Sequence, residues 1–229
     1  MKLAAALVAA AVALGASTGA ARADANGRVT GKVTVAESDG KATASVDAIV
    51  YIVGFKETPQ AGAAEPRIAQ HDRKFVPDLL AITAGETVVF PNEDSFLHNV
   101  FSQSQARKFD LGSYKKGDSK EKPFPDPGVV DVYCNIHPEM AATILVLPNR
   151  AHVRTQSNGQ FSIDNVPPGD WTVFAYTRRA VKPVSAKISV KAGAETAIDL
   201  SLQRGSEPQH LNKYGEKYNP DGQTQYHDK

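Results

Sequence analysis

The sequence predicts an all-β protein, and two features of the chain support this. Short segments rich in valine, isoleucine and threonine recur at regular intervals, which is typical of a β-sandwich or barrel. Residues 68–76, 79–83 and 87–90 are three such segments, and each predicts one strand. Glycine, proline and asparagine separate these segments and predict turns between them. The chain has 229 residues, which is long enough for one large or two small domains.

The first 23 residues have the form of an export signal. Met1-Lys2 is followed by an apolar run over residues 3–14 and then by Ala21-Arg22-Ala23. A basic start, a short apolar core and a small-residue cleavage site are typical of a secretory signal peptide. The apolar run is shorter than the roughly 20 residues that span a bilayer. We therefore expect cleavage after Ala23, no membrane span, and a periplasmic or otherwise exported location.

Charge and cysteine content narrow the possible functions. The chain carries 26 Lys+Arg against 25 Asp+Glu. A net charge this close to zero does not indicate binding to nucleic acid or to a charged membrane. Cys134 is the only cysteine and cannot form an internal disulfide. In an exported protein such a cysteine is intermolecular, reactive or a metal ligand.

The most informative stretch runs from Tyr133 to Met140 and reads YCNIHPEM. Cys134, His137 and Met140 place a thiolate, an imidazole and a thioether on one short loop. This soft donor set suits copper better than magnesium, calcium or manganese. Zinc is the nearest competitor, but structural zinc sites use only cysteine and histidine. With His98 as a second imidazole, the set describes a blue-copper site of two His, one Cys and a weak axial Met.

Each of these residues has a simpler explanation when it is taken alone. A single cysteine is usually a small buried hydrophobe, and a single histidine or methionine is usually part of the core or surface. A Cys-His hydrolase would need an orienting residue and an oxyanion hole, neither of which the sequence lets us place. The combination of four residues therefore favours the metal site.

Residues from about 66 to 148 resemble a cupredoxin. The resemblance rests on GETVVFPN at 85–92, on His98-Asn99, and on the Cys-x2-His-x2-Met loop followed by an apolar strand. The tight loop spacing is similar to amicyanin, whereas plastocyanin has two more residues before the methionine. The resemblance implies a Greek-key β-sandwich with one type 1 copper bound by His98, Cys134, His137 and Met140.

The resemblance also implies roles for neighbouring residues. Asn99 would tie the His98 loop to the Cys134 loop. Pro138 would stiffen the ligand loop, because proline fixes its own φ. His137 would expose its ring edge as the main electron exit, and Tyr133 would form a second, more remote exit.

The residues on both sides of this segment resemble a second β module. T-x3-G-x-F followed by NVPPGDW, between residues 155 and 171, is similar to a carboxypeptidase regulatory-like (transthyretin-like) sandwich. Such modules open with strands of the kind found in residues 28–55. We therefore predict one sandwich from residues 24–62 and 149–203, with the cupredoxin domain, 63–148, inserted into it. In the alternative, residues 28–55 add a hairpin to the cupredoxin, and the second sandwich simply follows it.

Two polar segments complete the chain. Residues 107–122 are rich in lysine and predict either a solvated loop or a patch that steers an acidic redox partner. Residues 204–229 are too polar to offset the entropy of ordering, so we predict a mobile tail or a segment laid over a neighbour. His210 and His227 are expected to be solvated.

These features together predict a periplasmic type 1 copper protein that carries single electrons between redox protein partners. We expect no enzyme activity, because four ligands leave no open position on the metal and catalytic metals keep one. Two alternatives stay open. One is a copper carrier or store without redox turnover, and the other is a β-sandwich docking module with incidental copper.

Overall fold

The computed structural model describes residues 26–43, 46–206 and 209–218. The predicted signal peptide, its cleavage site after Ala23, and His227 lie outside the described residues. The described residues form 17 β-strands and no α-helix, so the all-β prediction is confirmed. Within these residues, no helix is long and apolar enough to cross a membrane.

Strands from the two ends of the described chain flank a central block of strands. The first flanking strands are β1 (Gly27–Ala36) and β2 (Ile49–Val53). The central block contains β3 (Ala69–His71), β4 (Lys74–Val76), β5 (Leu79–Thr83), β6 (Thr87–Pro91), β7 (His98–Ser102), β8 (Phe109–Tyr114), β9 (Ser119–Pro123), β10 (Gly128–Tyr133) and β11 (Ala141–Leu147). The last flanking strands are β12 (His152–Arg154), β13 (Gln160–Val166), β14 (Gly169–Tyr176), β15 (Val184–Val190), β16 (Glu195–Ala197) and β17 (Leu200–Gln203).

The flanking strands pair with one another. β1 pairs antiparallel with β13 and parallel with β16 and β17. β2 lies between β12 and β14, and β15 extends this second sheet. Side chains alternate along β1, so that Val29, Val33 and Val35 are buried in the shared core while polar neighbours face outward. Residues 28–55 therefore form strands with residues beyond 149, and the hairpin alternative does not describe their pairing.

The two ends of the central block meet at one place. The Glu57 N–H donates a hydrogen bond of 2.9 Å to the Pro148 carbonyl oxygen. The buried Asn149 side chain donates from Nδ2 to the carbonyl oxygens of Ile52 and Phe55, at 2.9 and 3.0 Å. A segment whose ends lie this close can be inserted into another domain without disturbing its core.

The central block is a β-sandwich with its own core. One sheet has the order β5-β11-β10-β7-β8, and the pairs β6-β9 and β3-β4 form the opposite layer. All seven residues of β11 are buried. One face of β11 lies on the core of the block, and the other face packs on the flanking sandwich through a small shared cluster, Ile49, Leu79, Leu145 and Leu147. A strand buried on both faces reads as a continuous apolar run.

The structure corrects two sequence-based predictions of local structure. The strand expected over residues 68–76 is a hairpin, because Asp72 and Arg73 adopt positive φ angles of 52° and 53° and turn the chain. Much of the lysine-rich segment 107–122, expected as a loop, forms β8 and β9. Two of its ammonium groups lie over aromatic rings: Lys120 Nζ is 5.4 Å from the centroid of Tyr114, and Lys122 Nζ is 5.6 Å from that of Phe109.

Candidate metal centre

Three of the predicted ligands meet at one end of the central sandwich. His98 begins β7, Cys134 directly follows β10, and His137 lies on the loop between β10 and β11. The two Nδ1 atoms are 3.1 Å apart, and each lies 3.8 Å from the Cys134 sulfur. The chain thus brings two imidazole nitrogens and one sulfur to a single point, in the part of the chain that the structure describes.

The spacing of these three atoms fits a trigonal metal site. Metal–nitrogen bonds of about 2.0 Å and a metal–sulfur bond of about 2.3 Å are typical of such ligands. With these bond lengths, the observed separations give N–metal–S angles of about 120° and an N–metal–N angle of about 100°. The three donors therefore surround a point close to their own plane.

Met140 closes the ligand loop beside these donors. Its side chain is buried in the same core cluster as Cys134. Its N–H donates to the His137 carbonyl oxygen at 3.0 Å, and its own carbonyl oxygen accepts from the Cys134 N–H at 3.3 Å. Pro138 lies within the turn that these bonds close. These bonds hold Cys134, His137 and Met140 in one compact turn, to which β7 adds His98, and the Met140 side chain is buried.

The Cys134 thiol lies in an environment that favours its neutral form until a cation binds. Burial raises the pKa of this thiol above its ordinary value, although backbone N–H groups of Asn99, His137 and Ile136 directed at the sulfur lower it in part. A bound cation reverses this balance, because it stabilises the thiolate directly. The same N–H groups then serve the thiolate as hydrogen-bond donors.

Asp94 holds His98 in place, and the sequence analysis did not identify it. The His98 side chain is fully buried, and its Nε2 lies 2.8 Å from Asp94 Oδ2. When Nε2 carries the proton and donates it to the carboxylate, Nδ1 presents its lone pair toward Cys134. A carboxylate behind a ligating histidine fixes the ring and raises its basicity. The four-residue spacing of Asp94 and His98 was the available sequence signal.

The β3–β4 hairpin in turn holds Asp94. The N–H groups of Asp72 and Arg73, at the turn with positive φ, donate to its two carboxylate oxygens at 2.8 and 3.0 Å. Burial raises the pKa of Asp94, but these hydrogen bonds and the one to His98 lower it by a larger amount. The pKa of Asp94 therefore lies below its ordinary value. The turn of the β3–β4 hairpin therefore supports the site by fixing the carboxylate that holds His98.

Of the four predicted ligands, His137 is the nearest to solvent. Its ring is half-buried, whereas His98 is fully buried. Burial, followed by the neighbouring His98, lowers the pKa of His137 below its ordinary value. Phe96 packs against both imidazoles, with ring centroids 5.1 Å from His98 and 5.4 Å from His137. Phe96 is thus an apolar neighbour of His137, and the Arg73 guanidinium lies over the Phe96 ring, 5.2 Å from its centroid.

Asn99 links the His98 loop to the Cys134 loop, as the resemblance implied, and it does so through its backbone. Its backbone N–H is directed at the Cys134 sulfur. Its side chain instead donates from Nδ2 to Asp110 Oδ1 at 2.7 Å, across the β7–β8 pair. The link to the cysteine is therefore made by the backbone, and the amide side chain fixes β7 against β8.

Tyr133 and His210 differ from the sequence-based expectation. Residues 209–218, hereafter the C-terminal strap, lie against the metal end of the central sandwich, which agrees with the predicted alternative of a segment laid over a neighbour and not with a mobile tail. The His210 ring stacks on Tyr133 with centroids 3.8 Å apart and an interplanar angle of 10°. Phe101 also packs near Tyr133, with ring centroids 6.0 Å apart. Tyr133 is therefore covered on one ring face, and His210, which was expected to be solvated, is half-buried.

Polar contacts anchor the C-terminal strap beside the ligand loop. The Tyr218 hydroxyl donates to the Cys134 carbonyl oxygen at 3.1 Å. The Lys213 N–H donates to Asn135 Oδ1 at 3.0 Å, and its Nζ forms a 2.9 Å ion pair with Asp110. The strap thus contacts the ligand cysteine, the next residue of the loop and strand β8.

The lysine-rich segment reaches the metal end only at one turn. Because Tyr114 pairs with His98, the exposed Lys115 and Lys116 that follow it lie at the end of the sheet where the metal ligands are. Lys120 is engaged within the fold, since its Nζ donates to the Leu111 carbonyl oxygen at 2.5 Å. Only part of the predicted basic patch therefore lies near the site.

Comparison with known proteins gave structural neighbours only. No family model and no curated protein matches the chain. A purple cupredoxin from Nitrosopumilus maritimus is 27% identical, covers 36% of this chain and 100% of its own, and has a TM-score of 0.33. A Cu(I) amicyanin variant is 20% identical over 43% of this chain and 98% of its own, with a TM-score of 0.35. A Cu-containing nitrite reductase from Thermus scotoductus SA-01 is 27% identical over 42% of this chain but 27% of its own, with a TM-score of 0.36.

Proposed function

We propose that this protein is an exported type 1 copper protein that carries single electrons between redox proteins and has no enzyme activity. The observation that carries the proposal is the triangle of His98, Cys134 and His137 donor atoms, with separations of 3.1 and 3.8 Å. Met140 adds a buried thioether from the same loop.

The donor set favours copper over zinc and over the hard cations. Thiolate and thioether ligands select soft metals, whereas magnesium, calcium and manganese take oxygen ligands. Structural zinc sites use four cysteine or histidine ligands, and the described residues place no fourth ligand of that kind at the triangle. Bound copper would supply one-electron redox chemistry, and His98, Cys134, His137 and Met140 would hold it.

The chain's own residues support electron transfer by keeping the donors still. Asp94 and the β3–β4 hairpin fix His98, and the hydrogen bonds of Met140 fix the loop. Burial of the other three ligand residues excludes water from all but the His137 side. A rigid, dry ligand set needs little rearrangement when the charge of the metal changes. His137, with the apolar Phe96 beside it, is the expected edge for contact with a partner.

Burial also argues against the alternative of a copper carrier. A protein that hands the ion itself to a partner needs ligands that the partner can reach. Here Cys134 and His98 have no exposed surface, and Met140 is 1% exposed. The docking-module alternative leaves the convergence of the His98, Cys134 and His137 side chains unexplained. The proposed resemblance of the flanking strands to a carboxypeptidase regulatory-like sandwich assigns them a docking or scaffolding role only.

Reversible redox cycling tests this proposal. The Cu(II) protein is reduced with ascorbate and reoxidised repeatedly, while absorption and bound copper are followed together. An electron carrier bleaches and recovers with one copper retained per chain. Loss of copper at each reduction, or absorption that does not recover, would instead identify a carrier or store.

A further inference from the structure

The C-terminal strap contacts the ligand cysteine itself. The Tyr218 hydroxyl donates a 3.1 Å hydrogen bond to the carbonyl oxygen of Cys134. The connection from the sulfur to this hydroxyl runs through Cβ, Cα and the carbonyl group of the same residue and then through one hydrogen bond. Tyr218 is only half-buried, so this connection leads from a metal ligand toward the surface.

Tyr133 offers a longer and more enclosed connection. Its ring is reached from the Cys134 sulfur through a peptide bond and the Tyr133 backbone. His210 then stacks over the ring at 3.8 Å, and Phe101 contacts it as well. A partner on this side of the molecule therefore meets the strap before it meets Tyr133.

A groove with an excess of positive charge lies beside Tyr218. Its volume is about 620 Å³. Its walls come from the ligand loop between β10 and β11, the turn between β14 and β15, and the strap. Its charged lining residues are three cations and one acid: Arg178, Arg179, Lys217 and Glu139. Asp78 lies 3.4 Å from Arg178 and offsets one of these cations, so the excess of positive charge in the groove is small. An interface of this sign attracts an acidic partner and accelerates its association.

We propose that this groove binds acidic side chains of a redox partner protein and that Tyr218 conducts the electron between that partner and Cys134. The inference rests on the proposed function. A reduced partner gives one electron to Cu(II), which leaves Cu(I) and the partner oxidised by one electron. No covalent bond forms or breaks, and Tyr218 keeps its proton. The flanking sandwich and the strap then serve the same site, since both line the groove.

The first test separates conduction from binding. Reduced plant-type ferredoxin, an acidic one-electron protein, serves as the probe, and stopped-flow absorption follows bleaching of the Cu(II) protein. Tyr218→Phe keeps the ring but loses the hydrogen bond. Tyr214→Phe, at an exposed tyrosine of the same strap, is the matched control. We expect Tyr218→Phe alone to slow the electron-transfer step, with the visible spectrum unchanged. Titration of oxidised ferredoxin into the Cu(I) protein, a pair that exchanges no electron, should show unchanged binding.

The second test locates the partner. Lys217→Glu reverses a charge in the groove, and Lys116→Glu makes the same change at the exposed β8–β9 turn. We expect Lys217→Glu to lower the association rate by about tenfold at low salt, and the effect to shrink as salt screens the charges. A larger effect of Lys116→Glu would place the partner at the β8–β9 turn and overturn the proposal.

Ascorbate distinguishes the two possible failures. If the Cu(II) protein cannot be reversibly reduced by ascorbate, the proposed electron-carrier function fails, and this inference falls with it. If ascorbate cycles all variants alike and ferredoxin reduces Tyr218→Phe as fast as Tyr214→Phe, only the conducting role of Tyr218 is overturned.

Discussion

At the scale of single residues, the two histidines of the centre have different surroundings. His98 is enclosed by β7, by Phe96 and by Asp94, and it has no exposed surface. His137 sits on a short loop with part of its ring at the surface. The sequence indicated both residues through their chemistry, but it did not reveal Asp94, whose carboxylate is recognisable only once the hairpin amides converge on it.

Replacement of the two histidines should give different results with free imidazole. In His137→Gly the missing ring leaves a cavity open to solvent, so added imidazole should enter and restore the colour of the Cu(II) protein. In His98→Gly the cavity is enclosed, and the same imidazole should not restore the colour. Visible absorption during an imidazole titration measures both. Equal recovery would contradict the difference in burial.

Asp94→Asn should weaken both the fold and the tuning of the metal. The carboxylate accepts from Asp72, Arg73 and His98, and an amide cannot accept all three bonds. An unsatisfied buried donor costs about 1–3 kcal/mol of unfolding free energy. The reduction potential of the Cu(II)/Cu(I) couple should rise, because the substitution removes a negative charge that favours Cu(II). Denaturant unfolding and voltammetry measure these effects, and Glu93→Gln, at an exposed neighbouring acid, is the control. An unchanged potential would show that Asp94 does not act on the metal.

At the scale of elements, the sequence predicted strands well where apolar side chains alternate and failed where polar groups hold a segment. Valine alternation in β1 and the apolar run of β11 are local patterns, and both became strands. The C-terminal strap is held by the stack on Tyr133 and by bonds to Cys134 and Asp110, all far away in the sequence. Composition alone contains no information on such partners.

Acid should loosen the C-terminal strap. Burial raises the pKa of Asp110, but hydrogen bonds from Lys213, Asn99 and the Gly112 N–H lower it by a larger amount. The pKa of Asp110 therefore lies below its ordinary value of 3.8. The stabilisation by Asp110 is therefore complete above its unfolded-state pKa and is lost as the pH falls through the lower folded-state pKa. Near-ultraviolet circular dichroism of the Tyr133–His210 stack should decrease in that window.

Two variants serve as controls for the acid effect. Asp110→Asn should have a loosened strap already at neutral pH and should lose this pH dependence. Asp126→Asn, at an exposed acid that forms no part of the strap contact, should behave like the unmodified protein. A strap signal that changes with pH in the same way in all three proteins would contradict the role of Asp110.

At the scale of the whole molecule, two sandwiches share apolar surface. Ile49 of the flanking sandwich packs with Leu79, Leu145 and Leu147 of the central one. The sequence predicted that residues 28–55 share a sandwich with residues 149–203, and β1 and β2 do pair with strands of that range. The sequence did not predict the packing of one sandwich on the other, because an apolar β11 fits burial against any neighbour.

Leu145→Ala should uncouple the two sandwiches. Truncation of a buried leucine costs about 2–5 kcal/mol, and here the lost contacts join the two units. Calorimetric unfolding should therefore change from one transition to two. Val173→Ala, within the core of the flanking sandwich alone, should lower stability without separating the transitions. A single two-state transition in Leu145→Ala would show that the shared cluster does not couple them.

The visible absorption spectrum of the protein with one equivalent of Cu(II) tests the central claim most directly. A thiolate bonded to Cu(II) in a trigonal site should give an intense charge-transfer band that bleaches on reduction. Cys134→Ser should abolish this band, while Tyr133→Phe should keep it. A colourless Cu(II) protein, or stoichiometric zinc in protein produced with ample copper, would contradict the assignment of His98, Cys134, His137 and Met140 as a copper centre.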